Sequence, residues 1–376
     1  MNLSFFNPIR TLKLAGLIPV LMAVASLTSH AANLRVTPET AADNSALTLV
    51  TAPGSTAAAV SDPHQLLVIG TREGKLLVYP LKDNGSLDEA PSQTVDLLHP
   101  AVSLLFHPRM PLLYVWQNPG NDQTAQTQET VPHLLIYRCE GQRLQLLSSI
   151  AQGPDFGYDR QRGMLALDGK QERLFIPIGL GGTKKLPTSV AYYRLTAQGL
   201  PVQAAGAARP EPKIVPYFFY FTGNSIVPNS NGTTVLTGAL AGPCFVDLEK
   251  PQAIRQHVVP DTGAFVELVA HPHRPLIYFT TLGSSTFLTM EHLDGILTQL
   301  PHGVALEGAE FRSAPVVMSA RSQVAVGSPR SVVVIDLDKE GRPSGKARVH
   351  KVDKIEGESA PLVYSEKFNR LYVPVK

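Results

Sequence analysis

The sequence predicts an all-β protein built as a seven-bladed β-propeller, in which seven small sheets stand around a central channel. Short runs of β-branched and aromatic residues, bounded by Gly, Pro, Asn and Asp, fill the chain, and no segment keeps an apolar period of 3.6 residues. The chain also repeats itself, because His-Pro-x-x-Pro-Leu-x-Tyr occurs at residues 107–114 and again at 271–278.

A strand of the same kind recurs seven times, and the first residues of successive copies lie 41 to 62 positions apart. This spacing fits the ~40 to 50 residues of a four-stranded blade with its loops. The copies are Leu66–Ile69, Leu112–Trp116, Leu174–Ile178, Val235–Thr237, Leu276–Thr280, Val324–Val326 and Leu371–Val375. Because the fourth and sixth copies are weak, a six-bladed ring with an additional hairpin and a β-sandwich are the alternatives.

Each of the first six copies is followed by a further strand and a tight turn, such as Asp83-Asn84-Gly85. We interpret these turns as hairpins between third and fourth strands. The seventh copy has only two strands before the chain ends. We therefore expect the N-terminal strands Leu34–Val36 and Leu47–Val50 to pair with Leu371–Val375 and close the ring, which removes its open edges.

The N-terminus predicts export. Arg10 and Lys13 precede an apolar run over residues 14–27, and Ser29 and Ala31 provide the small residues of a cleavage site. Residues 1–31 are therefore interpreted as a signal peptide, cleaved after Ala31 or Ala32, and 33–376 as one propeller domain. The apolar run is shorter than the ~20 residues of a membrane span. The expected location is the periplasm or the exterior, without membrane insertion after cleavage.

The net charge and the positions of the cysteines argue against several classes of partner and cofactor. The formal net charge is +2, from 33 basic and 31 acidic residues without a basic run, which argues against nucleic acid and anionic membranes. The repeat places Cys139 and Cys244 two blades apart, beyond disulfide reach, so two buried thiols are expected. No spacing indicates a zinc or haem site, so no cofactor is expected. A monomer is expected.

Two segments, residues 66–79 with 84–87 and residues 167–179, resemble the lactonase-type seven-bladed propellers, the family of 6-phosphogluconolactonase and carboxymuconate cyclase. The resemblance implies the propeller scaffold and, in the enzymes, lactone chemistry. Those enzymes carry a histidine where this chain has residues 160–164, and charged residues where it has 221–226 and 235–240. None of the corresponding ionisable groups is present at 221–226 or 235–240, and no histidine at 160–164. No catalytic residue is therefore assigned.

His107 and His271 invite a metal interpretation because His273 lies close to the second. They occupy equivalent turns of different blades, so we expect them to point apart and to stabilise their turns.

The candidate binding residues lie in loops that a propeller gathers on one face, around the mouth of the channel. They are basic or aromatic: Arg72, Trp116, Arg160, Arg162, Lys184 and Arg330. The sequence favours a non-catalytic propeller that binds a protein or a small anionic or aromatic ligand on this face. The alternatives are a lactonase-like hydrolase with an unrecognised site, and a set of merely solvated loop residues.

Overall fold

The computed structural model describes residues 34–42, 47–117, 133–151, 164–177, 189–216, 222–239, 242–250, 255–256, 266–281, 283–293, 296–297, 302–353, 355 and 361–375. They belong to a compact unit that spans Ala31–Lys376, and a separate unit, Met1–His30, lies outside the described residues. The described residues form seven β-sheets, and Ser319–Arg321 adds one short 3-10 helix to them. The prediction of an all-β, seven-bladed propeller is confirmed.

The strands follow one another around the ring. The N-terminal segment contains β1 (Leu34–Val36), β2 (Glu39–Thr40) and β3 (Leu47–Thr51). Blade 1 contains β4 (Ser55–Ser61), β5 (Leu66–Thr71), β6 (Lys75–Pro80) and β7 (Gln93–Asp96); blade 2 contains β8 (Ala101–Phe106), β9 (Leu112–Gln117), β10 (His133–Glu140) and β11 (Arg143–Ala151). Blade 3 contains β12 (Ala166–Leu167), β13 (Arg173–Pro177), β14 (Ser189–Arg194) and β15 (Lys213–Pro216).

The second half of the ring continues the series. Blade 4 contains β16 (Thr222–Pro228), β17 (Thr234–Ala239), β18 (Gly242–Asp247) and β19 (Arg255–Gln256). Blade 5 contains β20 (Val266–Ala270), β21 (Leu276–Thr281), β22 (Thr286–Leu293), β23 (Ile296–Leu297) and β24 (His302–Leu306). Blade 6 contains β25 (Val316–Met318), β26 (Gln323–Ser328), β27 (Ser331–Leu337) and β28 (Pro343–Lys351), and blade 7 contains β29 (Val363–Ser365) and β30 (Arg370–Val375).

In the described part of the chain the core forms seven apolar clusters, and each lies between two successive blades. The second strand of a blade is buried on both faces, as in β5 and β9, because it contributes side chains to the clusters on either side. One cluster joins blade 1 to blade 2, and the last joins blade 7 to blade 1 through Tyr372, Val50 and Leu67. Because every pair of neighbouring blades shares a cluster, the burial of apolar side chains stabilises the contacts between blades.

The N-terminal segment closes the ring by running along three blades. The strand β3 pairs in parallel with β30, in register from Leu47 against Leu371 to Thr51 against Val375, as expected. The expectation for β1 was wrong, because β1 pairs with β24 of blade 5 and β2 pairs with β28 of blade 6. The physical reason is that β3 already occupies the edge of β30. The residues before β3 therefore continue to the outer edge of blade 6 and then to that of blade 5.

A tyrosine latch links successive blades at three places. The hydroxyls of Tyr114, Tyr278 and Tyr372 donate to the carbonyls of Gly199, Gly341 and Gly85, at 2.7, 2.8 and 2.8 Å. Each glycine belongs to the turn after the third strand of the following blade and has a positive φ of 74°, 85° or 75°. Burial raises the pKa of Tyr372 to about 12 and raises the pKa of the other two tyrosines, so all three hydroxyls keep their protons and remain donors.

The predicted hairpins between third and fourth strands are present in blades 2 and 6, where Glu140 pairs with Arg143 and Leu337 pairs with Pro343. Blade 1 differs. In blade 1 the fourth strand begins only at Gln93, well after the turn at Gly85. The turn is used to present the glycine carbonyl to a tyrosine of the preceding blade, which does not require the chain to return immediately along the sheet.

The two cysteines are free and buried, as expected. Cys139 lies in the cluster between blades 1 and 2, and Cys244 lies in the cluster between blades 3 and 4. Burial raises the pKa of the Cys139 thiol to about 11 and that of the Cys244 thiol to about 12.

Candidate functional site

One face of the ring, here called the loop face, carries the connections from second to third strands and from each blade to the next. These connections meet because antiparallel neighbours within a blade bring the end of the second strand beside the start of the first. In the described part of the chain they include the turn Thr71–Lys75 in blade 1 and the turn Ser328–Ser331 in blade 6. They carry two of the predicted site residues, Arg72 and Arg330.

Arg72 and Arg330 are exposed, and both have fixed backbones. The amide of Arg72 donates to the Gly54 carbonyl at 2.8 Å. Arg330 has a φ of 56°, and its carbonyl accepts from the Val352 amide at 2.8 Å. Neither guanidinium makes an ion pair or side-chain hydrogen bond with another described residue. Blade 7 separates their blades, so the two cations mark different parts of the same rim.

Trp116 is not presented at this face. It is 3% exposed and packs in the cluster between blades 2 and 3, beside Leu134 and Ile136. Its neighbour Gln117 is 1% exposed, and neither atom of its amide has a hydrogen-bond partner in the described part of the chain. The indole thus serves the core in this structure, because β9 buries side chains on both of its faces. The remaining predicted site residues, Arg160, Arg162 and Lys184, lie outside the described residues.

The inner strands hold a buried polar pair that sequence reasoning missed. Ser225 of β16 and Glu267 of β20 are 1% and 4% exposed, and the Ser225 hydroxyl donates to the Glu267 carboxylate. The same hydroxyl accepts from the Leu268 amide at 2.9 Å. Blade 5 therefore supplies an acidic group beside the stretch of blade 4 that has none. The signal available in the sequence was a single glutamate inside an apolar inner strand, Val266-Glu267-Leu268-Val269.

Hydroxyl groups of other inner strands make the same kind of contact between blades. The Thr56 hydroxyl donates to the Ala101 carbonyl at 2.5 Å, and the Ser103 hydroxyl accepts from the Leu165 amide at 2.8 Å. Both residues lie at irregularities in the pairing of their strands. Bulges of this kind often occur beside functional sites, and here they let an inner-strand hydroxyl reach the next blade.

The loop face also carries the ion pair of Arg312 with Glu310, in the connection from blade 5 to blade 6. The Arg312 amide donates to the Gly327 carbonyl at 2.9 Å, which holds this connection against the end of β26. Because the two charges of this pair cancel, it attracts an anion less than Arg72 or Arg330 does.

The His-Pro turns lie on the opposite face. The Nδ1 atom of His107 accepts from the amides of Arg109 and Met110, each at 3.1 Å, and Nδ1 of His271 accepts from the His273 amide at 3.0 Å. These bonds are the turn-stabilising role that the sequence predicted. Burial, with the nearby Arg109, lowers the pKa of His107, and burial also lowers the pKa of His271. Both imidazoles are therefore neutral acceptors at neutral pH.

The described residues contain neither a metal site nor a membrane-spanning helix. No group of three or more His, Cys, Asp or Glu side chains there is arranged to hold a metal ion. No helix in the same residues has the length and apolar character needed to cross a membrane.

Comparison with known proteins places the chain by its fold. No protein-family model and no curated protein matches the sequence. Among solved structures, the chain is similar to the periplasmic gluconolactonase PpgL of Pseudomonas aeruginosa, with a TM-score of 0.58 and 20% identity over 82% of this chain and 88% of that one. It is also similar to a functionally unknown protein from Desulfotomaculum acetoxidans, with a TM-score of 0.57 and 12% identity over 85% and 89% of the two chains. The chain therefore has the fold of the lactonase-type seven-bladed propellers.

Proposed function

We propose that this chain is an exported, periplasmic or secreted propeller without catalytic activity, which binds a partner or small ligand bearing anionic groups on its loop face. The proposal rests on the exposure and the unpaired charge of Arg72 and Arg330 among the described residues. Both are exposed, both have a backbone fixed by a hydrogen bond, and neither has a carboxylate partner among the described residues.

Other arginines support this interpretation by contrast. Arg342 pairs with Glu291, Arg348 pairs with Asp336, and Arg274 donates to the Lys339 carbonyl. Their side chains are used within the fold, whereas the side chains of Arg72 and Arg330 are not. An arginine whose backbone is already fixed loses less conformational entropy when its guanidinium binds a carboxylate or phosphate. In the proposed site, Arg160, Arg162 and Lys184 add further positive charge, and Trp116 supports the rim from the core.

The proposal is tested by thermal unfolding with a panel of sugar acids and aromatic carboxylates. We expect at least one of them to raise the melting temperature of the wild-type protein, because a ligand at 100 times its Kd stabilises by about 2.7 kcal/mol. The double variant R72Q/R330Q should lose this response. R138Q is the matched control. Arg138 is also exposed, but it pairs with Glu140 and lies near the end of β10 that is away from the loop face. A response that survives in R72Q/R330Q contradicts the choice of site.

The second candidate function is lactone hydrolysis. It is favoured by the buried contact between Ser225 and Glu267 in the channel wall and by the likeness in fold to a periplasmic gluconolactonase. A lactonase needs a group that moves a proton to or from water and donors for the carbonyl oxygen. We propose that Glu267 would be the proton-transferring group if the chain hydrolyses lactones.

The two candidates are separated by an assay of the wild-type protein, E267Q and R72Q/R330Q against sugar-acid lactones and muconolactones. The binding function predicts no hydrolysis above buffer for any of them. Hydrolysis by the wild type that is lost in E267Q and retained in R72Q/R330Q would replace the binding function with the hydrolase. Glutamine keeps the size of the side chain and an oxygen acceptor for Ser225, so folding of E267Q should be preserved.

A further inference from the structure

The face opposite the loop face has a cleft between blades 2 and 3, here called the 2/3 cleft. Its volume is about 690 Å³. The turn after β8 and the turns before β13 and after β14 supply its walls. The residues that matter for its chemistry are His107, Arg109, Lys170, Glu172, Arg194 and Thr196.

The 2/3 cleft carries an excess of positive charge. Four cationic side chains line it, those of Arg109, Lys170, Arg173 and Arg194, against the single carboxylate of Glu172. Arg173 is already engaged, because it donates to the Gly232 carbonyl and lies 5.2 Å from the ring centre of Tyr192. Arg109, Lys170 and Arg194 are exposed and make no ion pair with any described residue.

A buried donor in the cleft wall also lacks a partner. His107 is 3% exposed, and its Nδ1 accepts two backbone hydrogen bonds. The proton of this neutral imidazole is therefore on Nε2. Within the described part of the chain, Nε2 is buried and has no hydrogen-bond partner. A buried donor without an acceptor is costly to a fold, and Nε2 is too deeply buried to reach a ligand in the cleft, so His107 shapes the cleft wall without contacting the anion.

An equivalent cleft elsewhere in the ring shows that the fold does not require this charge. His271 and Arg274 of blade 5 line a cleft with Asp338 of blade 6 and Glu366 of blade 7. Asp338 occupies the turn position of Thr196, because the Gly341 amide donates to the Asp338 carbonyl and the Gly199 amide donates to the Thr196 carbonyl in the same way. Two carboxylates thus outnumber the single guanidinium of Arg274 there, whereas the uncharged Thr196 adds no carboxylate to the more positive 2/3 cleft.

We propose that the 2/3 cleft is a binding site for a small polyanion that bears phosphate or carboxylate groups. The guanidinium groups of Arg109 and Arg194 and the ammonium group of Lys170 hold the anion. Arginine favours such ligands because its planar group can donate two parallel hydrogen bonds. This site is independent of the loop face and of the function proposed for it.

The proposal is tested by isothermal titration calorimetry of the full processed chain with pyrophosphate and, separately, with citrate. We expect at least one of the two to bind, with an affinity that falls as salt rises. The variant T196D should bind at least about tenfold more weakly, because it places a carboxylate where the equivalent turn has Asp338. Asp338 accepts the amides of Glu340 and Arg342, as Thr196 accepts those of Gln198 and Leu200, so the variant should fold.

Two further variants separate the contributions. R194Q removes an exposed cation without an ion pair and should weaken binding by a similar factor without loss of melting temperature. H107N keeps an oxygen acceptor for the turn, as Asn229 does in blade 4 with the Thr234 amide. It should bind like the wild type, because Nε2 of His107 is shielded from the cleft. R138Q is the matched control, because Arg138 is exposed, pairs with Glu140 and lies outside the cleft, so this variant should bind like the wild type.

The outcomes decide between the sources of the anion as well as the site. Binding of pyrophosphate alone identifies a phosphate ligand, and binding of citrate alone identifies a carboxylate ligand. The proposal is overturned if neither anion gives measurable heat at about 10 mM. It is also overturned if both T196D and R194Q bind as the wild type does, or if R138Q abolishes binding. If T196D does not fold, R194Q alone decides.

Discussion

Removing the N-terminal segment in two steps should separate the strand that closes the ring from the strands that only line its edges. The first variant lacks residues 33–41 and therefore loses β1 and β2. The second lacks residues 33–50 and also loses most of β3. The reference is protein produced without residues 1–32.

The expected costs follow from burial. Leu47 and Val50 of β3 are 8% and 4% exposed, and burying such a side chain contributes ~1.5 to 3 kcal/mol. Together they contribute about 3 to 6 kcal/mol, before the pairing with β30 is counted. In β1 and β2 only Val36 is partly buried, and Leu34 is 53% exposed. The shorter deletion should therefore cost about 1 to 2 kcal/mol.

Urea denaturation followed by circular dichroism measures both variants, and size-exclusion chromatography detects association through the uncovered edge of β30. Because domains have only ~5 to 15 kcal/mol of stability, the longer deletion should aggregate or unfold, whereas the shorter one should keep a cooperative transition at slightly lower urea. Equal stability of the two variants would refute the assignment of closure to β3. So would a monomeric 33–50 deletion with an unchanged midpoint.

Three further predictions follow from other parts of the ring. At Gly199 an added Cβ would lie 2.7 Å from Leu112 Cδ1, whereas at Gly141 it would meet nothing within 4 Å. Since both glycines have positive φ, G141A should cost about 1 to 2 kcal/mol and G199A about 1 to 3 kcal/mol more, and similar midpoints in urea would contradict the tight packing at Gly199. The thiols of Cys139 and Cys244 should stay reduced and react with a thiol reagent at pH 8 at least about a hundredfold more slowly than a free cysteine, because their thiolates are scarce; an intact mass two units light without adducts would show a disulfide. The pKa of His107 is lowered from 6.5 in the folded state, so its contribution to stability is full above pH 6.5 and is lost as the pH falls toward the folded value; H107N should flatten the pH dependence of the melting temperature in this range, and an unchanged slope would exclude His107 as its source.

The second and third strands of the blades could be predicted because they are apolar on both faces and therefore appear as unbroken runs. The edge strands were harder: Leu34–Val36 was predicted as a strand, but its pairing with β24 was not, and β2 was missed. The strands β1 and β2 have three and two residues, and most of their side chains are exposed. They are held by backbone pairing with distant strands, which leaves no periodic pattern in the sequence.

The site was predictable in part for a similar reason. Loop order alone placed Arg72 and Arg330 on one face. It did not give the burial of Trp116, which depends on the second strand being covered on both sides. Glu267 was missed because its partner, Ser225, lies in another blade. The charge of the 2/3 cleft comes from cations in three separate turns of blades 2 and 3, which only the folded chain brings together.

The pairing of β3 with β30 also means that the ring can close only after the last strand has been synthesised. Thr48 and Arg370, which are hydrogen-bonded across this seam, are 322 residues apart in the chain. At ~5 to 20 residues per second, a ribosome needs about 16 to 65 s between the two. During that interval β3 has no partner strand. A chain interrupted before Arg370 can therefore hold six stacked blades and still be an open arc, with a free strand at one end that binding proteins and proteases can engage.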